Sequence, residues 1–301
     1  MSNDTISKIA RLKESMGAAI VAHNYQRPEI QDIADFTGDS LELARICNQI
    51  EARTIVFCGV HFMAETVSIL NPDKTVLLTE TTAGCPMAEM ISADMLCNWK
   101  NSYPDAKVVS YVNSTAAVKA ESYCCCTSAN GISVVNSIPG DRILFVPDQN
   151  LGQYISSNSD KQIILFPGYC YVHHRINARQ VKLAKKLHPE AELIVHPECR
   201  PEVVYLADAI LSTSQMLRYV RSSSSQAFII GTEEGIIYPL KKENPQKSFY
   251  PISAGQVCFD MKKTTLETLV HTMETGENRV KVPENIREKA KSAVERMIAI
   301  G

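Results

Sequence analysis

The stretch Gly168-Tyr169-Cys170-Tyr171-Val172-His173 follows an apolar segment, Ile163 to Phe166, whose length and composition predict a buried strand. A helix-like run comes directly after it, so Cys170 is expected at the end of a strand and before a helix. Two other cysteines have the same setting. Cys85 follows the predicted strand 75–78, and Cys258 follows a β-like stretch at 248–252.

These three cysteines are almost evenly spaced. Cys85 and Cys170 are 85 residues apart, and Cys170 and Cys258 are 88 apart. Self-similarity at a fixed period indicates a repeated structural unit. The spacing therefore predicts a triplicated fold that brings three thiols to one point.

A second set of residues repeats with the same period. His23, Tyr111 and His196 each follow a continuous apolar run of strand length, and they are 88 and 85 residues apart. A hydroxyl residue stands 17 positions after each of them and begins a predicted helix; these residues are Ser40, Ser128 and Thr213.

Each unit thus consists of strand, helix, strand, helix, strand, cysteine and helix in about 85 residues. Alternating strands and helices predict parallel sheets with helices on both faces, and ligands gather at the carboxyl ends of such strands. The predicted fold class is α/β, with three homologous three-layer αβα domains whose short parallel sheets surround a pseudo-threefold axis.

Short polar breaks near Tyr103-Pro104 and His188-Pro189 set the predicted boundaries. The predicted segments are an N-terminal helix at 1–16, repeats at 17–103, 104–190 and 191–275, and a C-terminal helix at 276–301 that packs on the body.

Composition excludes several classes of protein. The chain is 45% hydrophobic and 21% charged with a formal net charge of −2, so no basic excess indicates a nucleic-acid partner. No apolar run approaches the roughly 18 residues of a membrane span, and residues 1–17 lack the apolar region of a signal peptide. We expect a cytoplasmic protein with neither a nucleic-acid nor a membrane partner.

In a reducing compartment, ten cysteines favour metal binding or catalysis over disulfides. Three converging thiolates could hold zinc with water as a fourth ligand, or a [4Fe-4S] cluster with one iron free of protein ligands. The helix after each cysteine would point its positive end at an anionic cluster. Burial as a small hydrophobic residue is the alternative for any single cysteine, and it is our interpretation of Cys124-Cys125-Cys126.

The polar residues past the strand ends predict a cavity for small anionic substrates. The three hydroxyl residues would either cap their helices or bind anions with them. Glu198 is taken as the only carboxylate at a strand end, which makes it the candidate general base, with a structural salt bridge as the alternative. Tyr25 and Tyr111 could pass protons or orient a substrate. The other members of this set are His23, Asn113, His173 and His196.

An ordered set of motifs across the chain resembles the quinolinate synthase family. The motifs are His23-Asn24-Tyr25-Gln26, Gly38-Asp39-Ser40, Gly59 to Glu65, Tyr111-Val112-Asn113, Cys126 to Asn130, Gly168 to His173, His196 to Cys199, Ser212-Thr213-Ser214, and Cys258 with Met261-Lys262. Some members carry a CxxCxxC segment around the third cysteine, but here Cys258 stands alone.

The resemblance implies condensation of iminoaspartate with dihydroxyacetone phosphate to quinolinate, with loss of phosphate and two waters, in de novo NAD biosynthesis. It implies that Cys85, Cys170 and Cys258 hold a [4Fe-4S] cluster with one open iron that acts as a Lewis acid. An aspartate oxidase or aspartate dehydrogenase would supply iminoaspartate.

The resemblance also assigns roles to individual residues. His23, Ser40, Tyr111, Asn113 and Ser128 would hold the dicarboxylate part. Tyr25, His173, His196, Glu198 and Thr213 would surround the triose, with Glu198 and Tyr25 moving protons. A structural zinc module and a cluster-bearing redox sensor are the alternatives from other classes of protein.

Overall fold

The structure is a computed structural model that describes residues 3–300. Met1, Ser2 and Gly301, which the predicted segments 1–16 and 276–301 include, lie outside the described residues. The positions of the predicted boundaries remain predictions.

The described chain contains three four-stranded sheets, and every strand pair in them is parallel. All three have the same strand order, in which the first strand lies between the second and the third. This confirms the predicted fold class. The strands are β1 (Ala18–His23), β2 (Phe36–Gly38), β3 (Thr54–Cys58), β4 (Thr75–Leu78), β5 (Lys107–Tyr111), β6 (Cys124–Cys126), β7 (Arg142–Val146), β8 (Gln162–Leu165), β9 (Glu192–Val195), β10 (Ala209–Ile210), β11 (Ala227–Gly231) and β12 (Ser248–Pro251).

Helices connect the strands, and short 3-10 turns occur at Glu234–Ile236 and Met261–Lys263. The helices are α1 (Asn3–Met16), α2 (Pro28–Ile33), α3 (Ser40–Gln49), α4 (His61–Leu70), α5 (Ala93–Asn101), α6 (Ala116–Ala120), α7 (Gly131–Ser137), α8 (Gln149–Ser156), α9 (Tyr171–His174), α10 (Ala178–Leu187), α11 (Pro201–Val204), α12 (Thr213–Ser222), α13 (Ile237–Glu243), α14 (Leu266–Thr275) and α15 (Glu284–Ala299).

Each sheet has an edge strand that the sequence pattern did not predict. These edge strands are β2, β6 and β10, which have three, three and two residues. Segments this short carry no recognisable alternation of apolar and polar residues. The Cys124-Cys125-Cys126 run is β6, and all three side chains are buried, which agrees with their interpretation as packing residues.

Both faces of each sheet are apolar. The central strands are continuous apolar runs, and successive side chains of a strand point to opposite faces. In the first sheet, Val21 and Phe57 belong to a core shared by all three sheets, whereas Ile20 and Val56 pack in a separate outer cluster. The inner helices α3, α4, α7, α8, α12 and α13 contribute to the shared core. One continuous core therefore joins the three units.

The first long helix after each cysteine packs on the outer face of another unit's sheet. Leu96 of α5 packs with Leu144 of the second sheet, and Val181 of α10 packs with the third sheet. Leu269 of α14, in the third unit, packs with Ile20 of the first sheet, so each unit contacts the other two. Each of these helices lies within one predicted repeat and packs on the sheet of another, so the three units interlock.

The last helix, α15, packs against β6 in the shared core through Ala293, Val294 and Met297. The carbonyl of Met297 accepts a hydrogen bond from the side-chain amide of Asn130, in the loop after β6. Across residues 3–300, no helix has both the length and the apolarity that crossing a bilayer requires.

Met297→Ala should lower the free energy of unfolding by about 2–5 kcal/mol, because the side chain is fully buried and its loss leaves a cavity. Met297→Leu conserves volume and should cost less than about 1.5 kcal/mol. Urea unfolding of both variants measures the difference. Equal stability of the alanine variant and the wild type would contradict this packing role for α15.

Candidate active site

The thirteen residues predicted for the site line a single cavity to which all three units contribute. They are Cys85, Cys170, Cys258, His23, Tyr25, Ser40, Tyr111, Asn113, Ser128, His173, His196, Glu198 and Thr213. Apolar side chains complete the wall, including Val60, Phe62, Met63 and Met261. Convergence of residues this distant in sequence is what the repeat predicted.

The sheets position the first residue of each set. His23 and Tyr111 end β1 and β5, and His196 directly follows β9, the strand that occupies the equivalent place in the third sheet. Since these strands are parallel, their carboxyl ends carry the side chains to one edge of each sheet. The three edges meet at the cavity.

The hydroxyl residues are not the helix caps that the alternative interpretation proposed. Asp39 caps α3 and Ser212 caps α12, which leaves Ser40 and Thr213 as the first residues of these helices. Ser128 does not begin a helix, because α7 starts at Gly131. The three hydroxyls therefore face the cavity without a capping role.

The cysteines are only partly buried, since their surfaces open to the cavity. Burial raises the pKa of each thiol, and the charges of Cys85 and Cys258 would raise the pKa of Cys170 further. At each cysteine, a backbone amide three residues later interacts with the sulfur and opposes this increase; these amides belong to Ala88, His173 and Met261.

The helices predicted after the cysteines are shorter than expected. A turn follows Cys85, and no helix begins before Ala93. Cys170 precedes the single-turn helix α9, and Cys258 precedes a 3-10 turn. Individual amides of tight turns, rather than long helix dipoles, are therefore directed at the sulfurs.

One set of three donor atoms could hold a single ion among residues 3–300. It comprises Cys170, His173 and Glu198, whose ligand atoms lie within 4.8 Å of one another. The three cysteine sulfurs do not all lie so close together in the described residues. Sulfurs sharing one tetrahedral zinc would be about 3.8 Å apart, as Zn–S bonds of about 2.3 Å require. The cysteines as placed do not form a one-zinc site.

A chain of polar contacts crosses the cavity wall. Thr213 Oγ1 donates to the Tyr25 hydroxyl at 3.0 Å, and that hydroxyl lies 2.6 Å from Thr232 Oγ1. Thr232 Oγ1 is in turn 2.8 Å from His173 Nε2. His173 Nδ1 is 2.6 Å from Glu198 Oε2, although that oxygen lies off the direction of an Nδ1–H bond. The contacts connect the phenol of Tyr25 to the carboxylate of Glu198.

Two histidines are held as neutral donors. The amide of Tyr25 donates to His23 Nδ1, and the amide of Glu198 donates to His196 Nδ1, so in both rings the proton belongs on Nε2. His196 Nε2 can then donate to Ser128 Oγ at 3.2 Å. Burial is the main cause that lowers the pKa of each histidine to about 3.

Glu198 is the buried anion of the cavity, with 2% of its surface exposed. Burial raises the pKa of this carboxyl, but the nearby imidazoles of His173 and His196 and the hydroxyl of Tyr111 outweigh it and hold the pKa below its ordinary range. Burial and the charge of Glu198 raise the pKa of Tyr111, and burial raises that of Tyr25. The cavity thus combines an ionised carboxylate with neutral phenols.

Sequence reasoning assigned no role to four polar residues here. Asp39, Thr127 and Glu233 line the cavity, and Thr232 bridges Tyr25 and His173. The statement that Glu198 is the only carboxylate at a strand end was wrong, because Asp39 follows β2 and Glu233 lies just beyond β11. Their position after an apolar run was the same signal that identified Glu198.

We predict that His23 makes the unfolding of the cluster-free protein depend on pH. The unfolded histidine gains a proton near pH 6.5, whereas the folded one resists it until about pH 3, so stability falls as the pH drops below about 6.5. His23→Gln should lose less stability than the wild type between about pH 7 and pH 5, by a difference on the order of 1–2 kcal/mol. Urea unfolding at several pH values checks this. His271→Gln, at an exposed histidine, serves as the control, and identical pH profiles for all three proteins would contradict the prediction.

Comparison with known proteins gives a consistent result. The model of a family described as quinolinate synthetase A protein matches residues 7–299. A quinolinate synthase of Thermodesulfovibrio yellowstonii is 53% identical over 301 residues, which cover 100% of this chain and 99% of that protein. Quinolinate synthases of Methanoregula boonei and Dehalococcoides mccartyi are 54% and 55% identical over 293 residues, with 97% of each chain covered. With this cavity and these full-length matches, the chain belongs to the quinolinate synthetase A family and is an enzyme of the quinolinate synthase kind.

Proposed function

We propose that this enzyme condenses iminoaspartate with dihydroxyacetone phosphate to form quinolinate, with loss of phosphate and two waters, in de novo NAD biosynthesis. The family and the names of its relatives support quinolinate synthase activity. The observation that carries the proposal is the single cavity in which three thiols from three units face buried histidine, tyrosine and glutamate side chains.

The proposed cofactor is a [4Fe-4S] cluster held by Cys85, Cys170 and Cys258. Three features of the chain fit it: the thiols line one cavity, they are too far apart to share one ion, and an amide three residues later interacts with each sulfur. When bound, such a cluster supplies an open iron that acts as a Lewis acid in dehydration. The zinc alternative with three cysteines and a water has no comparable support.

The proposed site for the dicarboxylate part consists of His23, Ser40, Tyr111, Asn113 and Ser128. Neutral hydrogen-bond donors would have to bind the carboxylates of the substrate, because no lysine or arginine lines the cavity among the described residues. The side-chain oxygen of Asn113 is buried without a hydrogen-bond partner in the described structure. Buried polar atoms are normally paired, so a substrate N–H group would complete this site.

The triose would lie among Tyr25, His173, His196, Glu198 and Thr213. Glu198 is ionised and can accept a proton, whereas the raised pKa of Tyr25 keeps the phenol protonated and able to donate. The contacts through Thr232 and His173 offer a route between the two groups. Ser40 and Thr213 are the first residues of α3 and α12, and a helix N-terminus suits an anionic group.

The supply of iminoaspartate completes the proposal. An aspartate oxidase or an aspartate dehydrogenase would act as the functional partner, because each forms an imine from aspartate. The cytoplasm is the proposed location, and a reducing compartment suits ten cysteines that are all free in the described structure.

The principal test is Cys170→Ala, prepared anaerobically and compared with the wild type for iron, sulfide and quinolinate formed from both substrates. Loss of a cluster ligand should abolish both cluster and turnover. Cys97→Ala removes a thiol outside the cavity and should retain both. Full activity of Cys170→Ala would contradict the proposed site.

Thr232→Val tests the route between Tyr25 and His173. The substitution keeps the shape of the side chain but removes the hydroxyl, so the rate of quinolinate formation should fall about 10²-fold, as expected for lost proton transfer. Thr232→Ser restores the hydroxyl and should recover most of the rate. Measurements of kcat across pH, with cluster content confirmed, compare the two variants. Equal rates in both would show that the hydroxyl has no part in proton movement.

A further inference from the structure

The same backbone hydrogen bond holds each of the three cysteine loops. In each unit, an amide past the end of the third strand donates to the carbonyl of the residue two positions before the cysteine. The pairs are His61 to Ala83, Gln149 to Gly168, and Glu234 to Gln256, at 2.9, 2.8 and 2.9 Å. The main chain around the three cysteines is therefore threefold in its connections.

The residue immediately before each donating amide breaks this symmetry. In the second unit it is Asp148, which is fully buried. One carboxylate oxygen accepts the amide of Cys170 at 3.0 Å, and the other accepts the amide of Leu151 at 2.8 Å in the first turn of α8. The side chain thus fastens the cysteine to the start of a helix.

Gly168 allows the Cys170 loop to lie close to the segment that contains Pro147 and Asp148. A Cβ atom at position 168 would lie 2.5 Å from the carbonyl oxygen of Pro147, which no side chain tolerates. Only glycine lets the cysteine loop lie directly on the segment that carries Asp148.

In the third unit the equivalent residue is Glu233, which is also fully buried. Its Oε1 accepts the amide of Cys258 at 3.0 Å, and its Oε2 accepts the amide of Gly235 at 2.7 Å. Lys262, four residues after the cysteine, pairs with the same carboxylate at 3.0 Å. Glu233, with a longer side chain and with Lys262 beside it, thus joins the amide of its cysteine to the following turn, as Asp148 does in the second unit.

The first unit has Val60 at this position, which supplies no carboxylate. Asp148 and Glu233 therefore fix two of the three cysteine loops from this position, and the first unit has no equivalent group there. Each oxygen of these two buried side chains accepts a backbone amide, and a buried polar group is retained only where its partners compensate for desolvation.

We propose that Asp148 and Glu233 are positioning residues, which hold the Cys170 and Cys258 loops in the conformation that binds the cofactor. This inference rests on the proposed cluster and adds two residues that act through the cysteines rather than on the substrate.

Asp148→Asn and Glu233→Gln test the proposal. Each amide side chain can still accept one backbone hydrogen bond, but its NH₂ group cannot accept the second, so the cysteine loop or the helix start loses its partner. We expect both variants, loaded anaerobically, to release iron to a chelator roughly tenfold faster than the wild type, as a buried backbone amide left without its hydrogen-bond partner implies.

Asp39→Asn is the matched control. Asp39 is a buried cap on the same cavity, and its Oδ1 accepts the amides of both Leu41 and Glu42, so the same carboxyl-to-amide change keeps those two bonds and affects only the contact with Ser214. It touches no cysteine loop and should release iron at the wild-type rate. Equal iron release from all four proteins, or release from Asp39→Asn as fast as from the other variants, would overturn the proposal.

Alkylation of the cluster-free proteins, followed site by site, separates local from global effects. Asp148→Asn should speed modification of Cys170 alone, and Glu233→Gln that of Cys258 alone. A uniform increase at all three cysteines would show general destabilisation and contradict the positioning role. A wild-type protein that takes up no cluster would instead contradict the proposed cofactor, which keeps the two failures distinct.

Discussion

The structure depends on one backbone hydrogen bond in each unit, which joins the cysteine loop to the segment after β3, β7 or β11. The donors His61, Gln149 and Glu234 fasten these loops at corresponding points of three sheets with the same strand order. Because the sheets share one core, three thiols that are 85 and 88 residues apart reach one cavity. The helices that pack across the units keep the three edges together, so the site exists only in the assembled chain.

Chemistry comes from the places where the threefold pattern is broken. The repeated frame supplies one cysteine in each unit, but only the third unit places a carboxylate, Glu198, two residues after its strand-end histidine. His173 of the second unit contacts that carboxylate, and Thr232 joins His173 to Tyr25 of the first unit. Likewise, Val60 stands where the other units have Asp148 and Glu233. A symmetrical scaffold therefore carries an asymmetric set of acidic and basic side chains and an asymmetric set of hydrogen bonds to the cysteine loops.

The sequence predicted the central strands and the cavity well, because both depend on local pattern: buried parallel strands are continuous apolar runs, and polar residues directly after them identify a functional edge. Edge strands of two or three residues, such as β10, carry too little pattern to be predicted. The packing of α5 on the outer face of the second sheet joins residues of two units, which no local pattern records. Thr232 and Glu233 had the right position, but no residue type repeats there: the equivalents of Thr232 are Gly59 and Pro147, and those of Glu233 are Val60 and Asp148.

Anaerobic analysis of iron and acid-labile sulfide in the purified protein, combined with an assay for quinolinate, tests the central claim most directly. The account predicts about four irons and about four sulfides per chain, together with quinolinate formed from iminoaspartate and dihydroxyacetone phosphate. A protein that contains one zinc, no sulfide and no quinolinate-forming activity would contradict it.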